Sequence, residues 1–332
     1  MTLTLKSLRR SALGAGVLAC SLLAASCGGS GDQVSKFTAK RVLAFGDESS
    51  LIVDVNGNGN GFKYSINGVV SATDPTIACA SNALWIQSVA KVYNLVFPQC
   101  NTSTPPVASP SSRIRAALGA RASDLSVQID AQQTEAKIEE GDISTVMVGE
   151  NDVLALYLQY PTVSEASLIA NAAAAGAAVG TQVNRLADAG SRVLVSTIVD
   201  VGVTPFAVAE KATHTDTDRA ALLTRLSARF NASLRATMVN DGRRIGLILL
   251  DELVSAVGKF SGLNGFSNSS VGACDLTKST RVPPSVLDCS DLTLITGAGS
   301  NSYLWADDRH LSAGGQASLG NLAVTRARNN PF

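Results

Sequence analysis

The chain has 332 residues, of which 45% are apolar and 16% are charged. This composition predicts a sizeable globular domain and excludes a protein that is largely disordered. The 27 basic residues equal the 27 acidic ones, but Lys6, Arg9 and Arg10 lie in a segment that we expect to be removed. The remainder is slightly acidic, so it has no basic field that would collect phosphates, and nucleic-acid binding is not expected.

The N-terminal segment is typical of an export signal. A basic start is followed by an apolar stretch from Ala12 to Ala25, which is too short to span a bilayer comfortably. Small residues precede Cys27, and Gly28-Gly29-Ser30-Gly31 follows it, as in bacterial lipoprotein signals whose cysteine is lipidated. Cleavage near Val17-Leu18-Ala19-Cys20, ordinary signal cleavage and a retained anchor are the alternatives.

These features predict the domain organisation. We expect residues 1–26 to be a lipoprotein signal peptide, residues 27–37 a flexible tether and residues 38–332 a single folded domain. The lipid on Cys27 would attach this domain to a membrane, in the periplasm or at the outer membrane.

Four cysteines remain besides Cys27, and an even number in an exported protein predicts two disulfides. Among the three possible pairings we favour Cys79 with Cys100 and Cys274 with Cys289, because each pair brackets a short segment. The chain has no CxxC motif and no His-rich spacing, so we expect neither a structural zinc site nor any other metal or cofactor.

The apolar runs in the domain alternate with helical stretches. The strand-like runs are Arg41–Phe45, Ile143–Val148, Arg192–Val199 and Ile245–Leu250. Each run is almost continuously apolar, which is typical of parallel strands that are buried on both faces. The Ala-rich stretch from Ser167 to Ala189 and the stretch from Thr217 to Val239 predict helices between them. The alternation predicts an α/β fold with helices on both faces of the sheet.

Two further segments of the chain are expected to have structural roles. Asp54-Val55-Asn56-Gly57-Asn58-Gly59 begins like a calcium loop, but Ser65 stands where a bidentate glutamate is needed. We therefore expect a turn that joins Leu51–Val53 to Phe62–Ile66 in a hairpin. Farther along the chain, Gly262–Gly299 has few helix signals and two cysteines, so we expect a disulfide-pinned excursion near the active-site edge.

Polar residues cluster where strands end, which is where α/β sheets bind ligands. Gly46-Asp47 follows the first strand, and Gly149-Glu150-Asn151-Asp152 follows the second. The chain has two histidines, and His310 lies three residues after Asp307, so the two side chains can reach each other. His214 lies among polar residues and is expected to be a solvated loop residue.

These blocks, together with Gly119-Ala120-Arg121, resemble the four sequence blocks of the SGNH/GDSL hydrolases in order and spacing. The resemblance implies a flavodoxin-like three-layer α/β/α fold with a mainly parallel sheet. It also implies an esterase or lipase that uses a Ser-His-Asp mechanism on small-molecule or lipid esters, and we expect a monomer. His310 would be the base and Asp307 its partner, while Gly119 and Asn151 would donate hydrogen bonds to an oxyanion. Asp152 is expected to be a structural cap.

The chain departs from the family pattern at the nucleophile. The family has Gly-Asp-Ser-Leu, whereas this chain has Gly46-Asp47-Glu48-Ser49-Ser50-Leu51, which places Glu48 in the position of the serine. A serine mechanism requires either Ser49, which we slightly favour, or Ser50, whose structural alternative is a helix cap. Otherwise the site is altered, and the protein is a surface binding protein or uses Glu48 as a general base on water.

Overall fold

The β-branched and aliphatic runs form a central sheet of parallel strands. The computed structural model describes residues 37–239 and 242–329, and from Thr38 onward the described residues form one compact unit. The strands are β1 (Arg41–Gly46), β2 (Ile52–Val53), β3 (Phe62–Lys63), β4 (Val69–Ser71), β5 (Asp74–Ile77), β6 (Arg113–Ile114), β7 (Asp142–Met147), β8 (Arg192–Ser196), β9 (Ile245–Ile248), β10 (Asn268–Gly272) and β11 (Tyr303–Trp305). The central sheet has the order β6-β1-β7-β8-β9, and each neighbouring pair is parallel.

The α-helices of the described residues connect the sheet strands and follow the last of them. They are α1 (Trp85–Val92), α2 (Leu125–Glu135), α3 (Glu150–Tyr157), α4 (Glu165–Asp188), α5 (Pro205–Thr213), α6 (Arg219–Thr237), α7 (Leu250–Lys259) and α8 (Ala313–Asn329). Helices α1 and α8 pack on each other and on the sheet, and α2, α4 and α6 form a second packed group. Right-handed crossovers place these groups on opposite faces of the sheet. The strand order and the layers confirm the flavodoxin-like α/β/α prediction.

Helix α4 is the longest helix of the described residues. By length and composition it is apolar enough to cross a membrane. It nevertheless packs closely on α6, because a Cβ on Gly176 would lie 2.1 Å from the backbone oxygen of Phe230. Its buried positions, including Leu168, Val179 and Val183, face the interior of the domain. We therefore interpret α4 as a core helix of the α/β domain.

Two excursions from the sheet pack together beside the C-terminal segment. The first contains the antiparallel pair β2 and β3, which confirms the expected hairpin. The second contains the disulfide Cys274–Cys289, while Cys79 pairs with Cys100, so both expected pairings are confirmed. Tyr64 and Ile66 of the first excursion share a hydrophobic cluster with Val286 and Leu287 of the second. The two excursions thus form one cluster beside the loop that contains Asp307.

A buried lysine stabilises the first excursion from within. The side chain of Lys63 is fully buried, and its ammonium group donates to the backbone oxygens of Cys79, Ser81 and Asn82 at 3.0, 2.6 and 2.8 Å. The three N–H donors of the ammonium therefore all have partners. This contact ties β3 to the segment that follows the hairpin formed by β4 and β5.

The predicted elements have small errors at their ends. The helix expected over 167–189 begins at Glu165, where Ser164 caps it, and the helix expected over 217–239 is α6. The strand expected over 192–199 ends at Ser196. The expected signal peptide, Cys27 and the tether up to residue 36 lie outside the described residues.

Candidate active site

Four segments converge at the carboxyl edge of the central sheet. Glu48 follows β1, Gly119 follows β6, and Asn151 lies in the first turn of α3 directly after β7. Since β6, β1 and β7 are neighbours in the sheet, these three loops lie side by side. The segment Asp307–His310 follows β11 and completes the group, because side chains of Glu48 and Asn151 lie near Arg309 and His310. The sheet topology thus brings together all four blocks of the sequence.

His310 is held firmly by Asp307. One carboxylate oxygen, Oδ2, lies 2.7 Å from Nδ1 of the imidazole. The other, Oδ1, accepts hydrogen bonds from the backbone N–H groups of Arg309 and His310 at 3.0 and 2.7 Å. Because an ionised carboxylate only accepts hydrogen bonds, Nδ1 carries a proton and donates a hydrogen bond to Asp307. The side chain of Asp307 therefore fixes the loop and directs Nε2 toward the site.

Two hydrogen-bond donors converge on one point of the site. The N–H of Gly119 and the side-chain amide of Asn151 both donate to Oε2 of Glu48, at 2.9 and 3.0 Å. Gly119 has a φ of +71°, a left-handed conformation that favours glycine. The Asn151 amide also donates to the backbone oxygen of Ala120 at 3.2 Å, which fixes the amide orientation. The pair has the spacing of an oxyanion hole.

Glu48 lies in the turn that follows β1. It is the first residue of a short 3₁₀-helix, Glu48–Ser50, and the Asp47 side chain caps this turn by accepting from the N–H of Ser49 at 3.0 Å. While Oε2 binds the two donors, Oε1 lies 3.7 Å from Nε2 of His310, the distance of an ion pair. Among the described residues Nε2 has no hydrogen-bond partner, although it is buried. Glu48 therefore bridges the donor pair and the histidine.

Neither serine is joined to His310 by a hydrogen bond in the described part of the chain. The hydroxyl of Ser50 accepts from the indole N–H of Trp85 at 3.0 Å, and both side chains are fully buried. The sequence suggested Ser50 as a helix cap, but its hydroxyl instead provides the acceptor that the buried indole N–H needs. Ser49 is half-buried, and its own N–H is bound to Asp47.

Arg309 and Glu150 also belong to the site, although the sequence motifs did not indicate them. Nη1 of Arg309 lies 3.5 Å from Oε1 of Glu48 and 3.6 Å from Glu150, and 3.3 Å from the side-chain oxygen of Asn151. Their positions inside two of the blocks were the only signal: Glu150 precedes Asn151 and Arg309 precedes His310. Arg309 is the least buried of these charged groups, so it lies on the solvent side of Glu48.

The charges in this buried site are strongly coupled. Burial alone would raise the pKa of Glu48, but His310 and the Gly119 N–H lower it to about 2. Burial alone would lower the pKa of His310, but Asp307 first and then Glu48 raise it to about 10. Burial raises the pKa of Glu150 to about 7, against the opposing effect of Arg309. At neutral pH an imidazolium therefore lies between two carboxylates.

Other residues from the sequence analysis have structural roles. The Asp152 carboxylate accepts from the N–H of Ala122 at 2.9 Å and so caps the turn after Arg121. Asp54 accepts from the N–H groups of Asn58 and Gly59, which makes that segment a turn. His214 is exposed at the end of α5. Within residues 37–239 and 242–329 no three acidic, Cys or His side chains are grouped as metal ligands.

This arrangement has a definite chemical consequence. A carboxylate oxygen of Glu48 already fills the donor pair, so a substrate carbonyl cannot use the same donors while Glu48 stays there. The carboxylate of Glu48 itself occupies the place that a bound ester group would take. Its Oε2 accepts from the two donors, and its Oε1 faces Nε2 of His310.

Comparisons with known proteins identify the family of this chain. A family model described as GDSL-like lipase/acylhydrolase matches residues 43–323. Among solved structures, the acetylxylan esterase Axe2 from Geobacillus stearothermophilus is similar at 13% identity, over 89% of this chain and 96% of that chain, with a TM-score of 0.42. The lipase Lip_vut3 from a goat rumen metagenome is similar at 12% identity, over 87% and 97%, with a TM-score of 0.46. No curated protein sequence matched. The match over most of the domain shows that the chain belongs to the GDSL-like lipase/acylhydrolase family, whose members are ester hydrolases.

Proposed function

We propose that this chain is an ester hydrolase in which Glu48, rather than a serine, forms the covalent intermediate. The observation that carries the proposal is the position of the Glu48 carboxylate. Its Oε2 accepts from Gly119 and Asn151, and its Oε1 faces Nε2 of His310 at 3.7 Å. His310 and Asp307 keep the roles of base and orienting carboxylate, and Gly119 and Asn151 form the oxyanion hole.

With an activated aryl ester, the proposed reaction begins at Oε1 of Glu48. This oxygen attacks the ester carbon, the carbon–oxygen bond to the phenol breaks, and a mixed anhydride with Glu48 forms. The departing phenolate is a weak base and leaves readily. Arg309, 3.5 Å from Oε1, lies where it can bind the charge that develops on the substrate oxygen.

Water then releases the acyl group. Conversion of the Glu48 carboxylate into a neutral anhydride removes one of the two anions that raise the pKa of His310, so His310 can give up its proton to the departing phenolate or to water. Neutral His310 takes a proton from water, which attacks Cδ of Glu48. The charge that develops on Oε2 is received by the N–H of Gly119 and the amide of Asn151. The bond from Cδ to the acyl-bound oxygen then breaks, the acyl group leaves as a carboxylate ion, and the new carboxyl of Glu48 loses its proton to water.

Ser49 is the second candidate nucleophile, because it is adjacent to Glu48 and half-buried. For Ser49 to act, the Glu48 side chain must leave the donor pair so that a substrate carbonyl can enter. The ligand-binding alternative requires no turnover at all. The same set of variants separates the three possibilities.

The test is hydrolysis of p-nitrophenyl acetate by the wild-type domain and by Glu48→Gln, Ser49→Ala, Ser50→Ala and His310→Gln variants. Glu48→Gln preserves the shape of the side chain but removes the nucleophilic charge. We expect this variant and His310→Gln to be inactive, and both serine variants to be active. Loss of activity in Ser49→Ala with retention in Glu48→Gln would establish a serine mechanism. Absence of turnover in the wild-type domain would favour a binding protein.

We further propose that the protein is exported and is anchored through a lipid on Cys27, so that the domain lies at a membrane face. The two disulfides support an extracytoplasmic protein, since such bonds persist in oxidising compartments. Fractionation of cells that express the wild-type chain or Cys27→Ser tests the anchor. We expect the wild-type chain in the membrane fraction and the variant in the soluble fraction. Equal membrane association of both would contradict lipidation.

A further inference from the structure

The chain contains five Asn-Gly pairs, and three of them follow one another in the turn between β2 and β3. In such a pair the backbone nitrogen of the glycine can attack the side-chain amide carbon of the asparagine, because glycine has no Cβ to hinder the approach. The asparagine then loses its side-chain nitrogen as ammonia. The pairs are Asn56-Gly57, Asn58-Gly59, Asn60-Gly61, Asn67-Gly68 and Asn264-Gly265.

Asp54 protects the pair Asn58-Gly59. The N–H of Gly59 donates to Oδ2 of Asp54 at 2.8 Å, and the N–H of Asn58 donates to Oδ1 of the same carboxylate at 3.2 Å. The glycine nitrogen must lose its proton before it attacks, and the resulting anion would then lie beside the negative charge of Asp54. This contact therefore makes the nitrogen of Gly59 a poor nucleophile.

The last three pairs are restrained by other contacts. The N–H of Gly61 donates to the backbone oxygen of Gln99 at 2.9 Å, and the N–H of Gly265 donates to that of Gly262 at 3.2 Å. Asn67 is fully buried, and its side-chain amide donates to two backbone oxygens of the second excursion. In each of these pairs the attacking nitrogen or the amide that it would attack is held in place.

The pair Asn56-Gly57 has none of these restraints. Both residues are exposed. Within the described part of the chain, neither the side chain of Asn56 nor the N–H of Gly57 has a hydrogen-bond partner. Gly57 has a φ of +63°, and the space around its Cα is open, with no atom within 4 Å of the place that a Cβ would take. The peptide nitrogen of Gly57 is therefore free to turn toward the side chain of Asn56.

We propose that Asn56 is a site of spontaneous covalent modification, at which the side-chain amide is lost and the turn between β2 and β3 gains a carboxylate. The inference goes beyond the proposed function and does not depend on it, since the reaction uses none of the active-site residues. Water is the only co-reactant.

In the first step, water or hydroxide takes the proton from the backbone nitrogen of Gly57, and this nitrogen forms a bond to Cγ of Asn56. The bond from Cγ to the side-chain nitrogen breaks, and that nitrogen takes a proton and leaves as ammonia. The product is a cyclic imide that contains the nitrogen of Gly57. In the second step, water adds to one of the two imide carbonyl carbons, the bond from that carbon to the ring nitrogen breaks, and the nitrogen regains its proton. Opening at Cγ gives aspartate, and opening at the backbone carbonyl gives isoaspartate.

The position of Asn56 in the hairpin allows the modified residue to accumulate in the folded protein. The side chain lies in the exposed turn, so the new charge stays in water. The contacts of the hairpin with the rest of the domain lie farther along its strands, where Val53 and Phe62 pack against the hydrophobic cluster of the two excursions. We therefore expect the domain to remain folded after the reaction.

The experiment follows the reaction in the full chain by mass spectrometry. The wild-type protein is incubated at mildly alkaline pH in heavy-oxygen water and is then digested with trypsin in ordinary water. Trypsin cuts after Arg41 and after Lys63, so the three successive pairs lie on one peptide, Val42–Lys63. Each imide that opens during the incubation takes up one labelled oxygen, whereas modification during the digestion gives an unlabelled product.

Fragmentation of this peptide assigns the label to a residue. We expect Asn56 to react at least about ten-fold faster than Asn58 or Asn60, a factor that corresponds to about 1.4 kcal/mol, the size of one hydrogen bond. The matched control is the synthetic peptide Val42–Lys63, in which none of the pairs is restrained by the fold. Its three asparagines should react at similar rates. Asn56→Gln should abolish the label at position 56, because a glutamine forms the larger cyclic imide much more slowly.

A second variant tests the selection among the pairs. Asp54→Ala frees the N–H of Gly59, so the rate at Asn58 should rise by about ten-fold or more. If this variant does not fold, Asp54→Asn, which removes the charge and keeps one acceptor oxygen, should raise the rate at Asn58 in the same direction. Unchanged reactivity of Asn58 in the folded variant would show that Asp54 does not protect it.

The proposal fails if the folded wild-type chain labels Asn58 or Asn60 as fast as Asn56. It also fails if Asn56 stays unmodified over a period in which the synthetic peptide reacts completely. Either result would show that the contacts of the turn do not decide which asparagine is modified.

Discussion

Glu48 and His310 form a buried ion pair in which Oε1 lies 3.7 Å from Nε2. Asp307 contacts the opposite nitrogen, so the imidazole lies between two carboxylates. Glu48 also accepts two hydrogen bonds, which stabilise its ionised form although the side chain is almost inaccessible to water. A buried carboxylate is tolerated when it is paired and hydrogen-bonded in this way. The Glu48 carboxylate therefore favours the protonated form of His310.

The first prediction concerns the charge of this histidine. Glu48→Gln removes one of the two anions next to His310, so the pKa of the imidazole should fall from about 10 toward its ordinary value. NMR titration of the histidine side chains measures this directly, because the chain contains only His214 and His310.

The control for this titration is Glu165→Gln, which changes a carboxylate on the first turn of α4 outside the site. We expect no change in the His310 titration in that variant. An unchanged His310 titration in Glu48→Gln would show that Asp307 alone determines its charge, and the ion pair with Glu48 would then have no effect on the base.

The second prediction concerns the donor role of Asn151. Asn151→Ala removes a hydrogen bond to Oε2 and should lower kcat by about 10²–10³-fold, the usual effect of losing an oxyanion-hole donor. Asn151→Asp has nearly the same shape but places an acceptor opposite Oε2, so its kcat should be at least as low. Steady-state hydrolysis of p-nitrophenyl acetate measures both. If Asn151→Asp preserved the activity that Asn151→Ala lost, the residue would act through packing and not as a donor.

Most of the fold could be predicted from the sequence because the signals are local. Runs such as Ile143–Val148 contain no charged residue, and β7 is buried throughout, as a strand covered on both faces must be. The disulfide pairing followed from sequence separations of 21 and 15 residues. The ends of elements were less certain because they depend on capping contacts, such as the Ser164 side chain that begins α4.

The chemistry of the site could be predicted only in part. The sequence blocks indicated Asp307, His310, Gly119 and Asn151, and the structure brings all four together. The sequence could not show that the Glu48 carboxylate would accept from both donors, since that contact depends on the rotamer of one side chain in a loop. The contact of Arg309 with Glu48 was not predictable either, because it joins residues that are far apart in the chain.

The third prediction concerns Ser50, which we interpret as a structural residue. Ser50→Ala leaves the indole N–H of the fully buried Trp85 without an acceptor, so the free energy of unfolding should fall by about 1–3 kcal/mol. The kcat/KM for p-nitrophenyl acetate should not change. Urea unfolding and steady-state kinetics measure the two quantities. A loss of activity with unchanged stability would instead identify Ser50 as the nucleophile.

The fourth prediction concerns the buried ammonium of Lys63. Lys63→Met preserves much of the side-chain volume but leaves three buried backbone oxygens without this donor, so the free energy of unfolding should fall by at least about 2 kcal/mol. Lys91→Met, at an exposed position on α1, is the matched control and should have little effect. Chemical unfolding with intact disulfides measures both. Equal stabilities of the two variants would show that water replaces the ammonium without loss.

The fifth prediction concerns the dependence of stability on pH. Asp307 and Glu48 raise the pKa of His310 from 6.5 to about 10 against the opposing effect of burial, so the folded state binds the proton more tightly than the unfolded chain. The resulting stabilisation is complete below pH 6.5 and is lost as the pH rises through about 10. His310→Gln removes this contribution, so the wild-type free energy of unfolding should fall more steeply than that of the variant over this range. Since lysines and tyrosines titrate in both proteins, the difference between the two curves isolates His310, and parallel curves would show that the histidine is neutral in the folded protein.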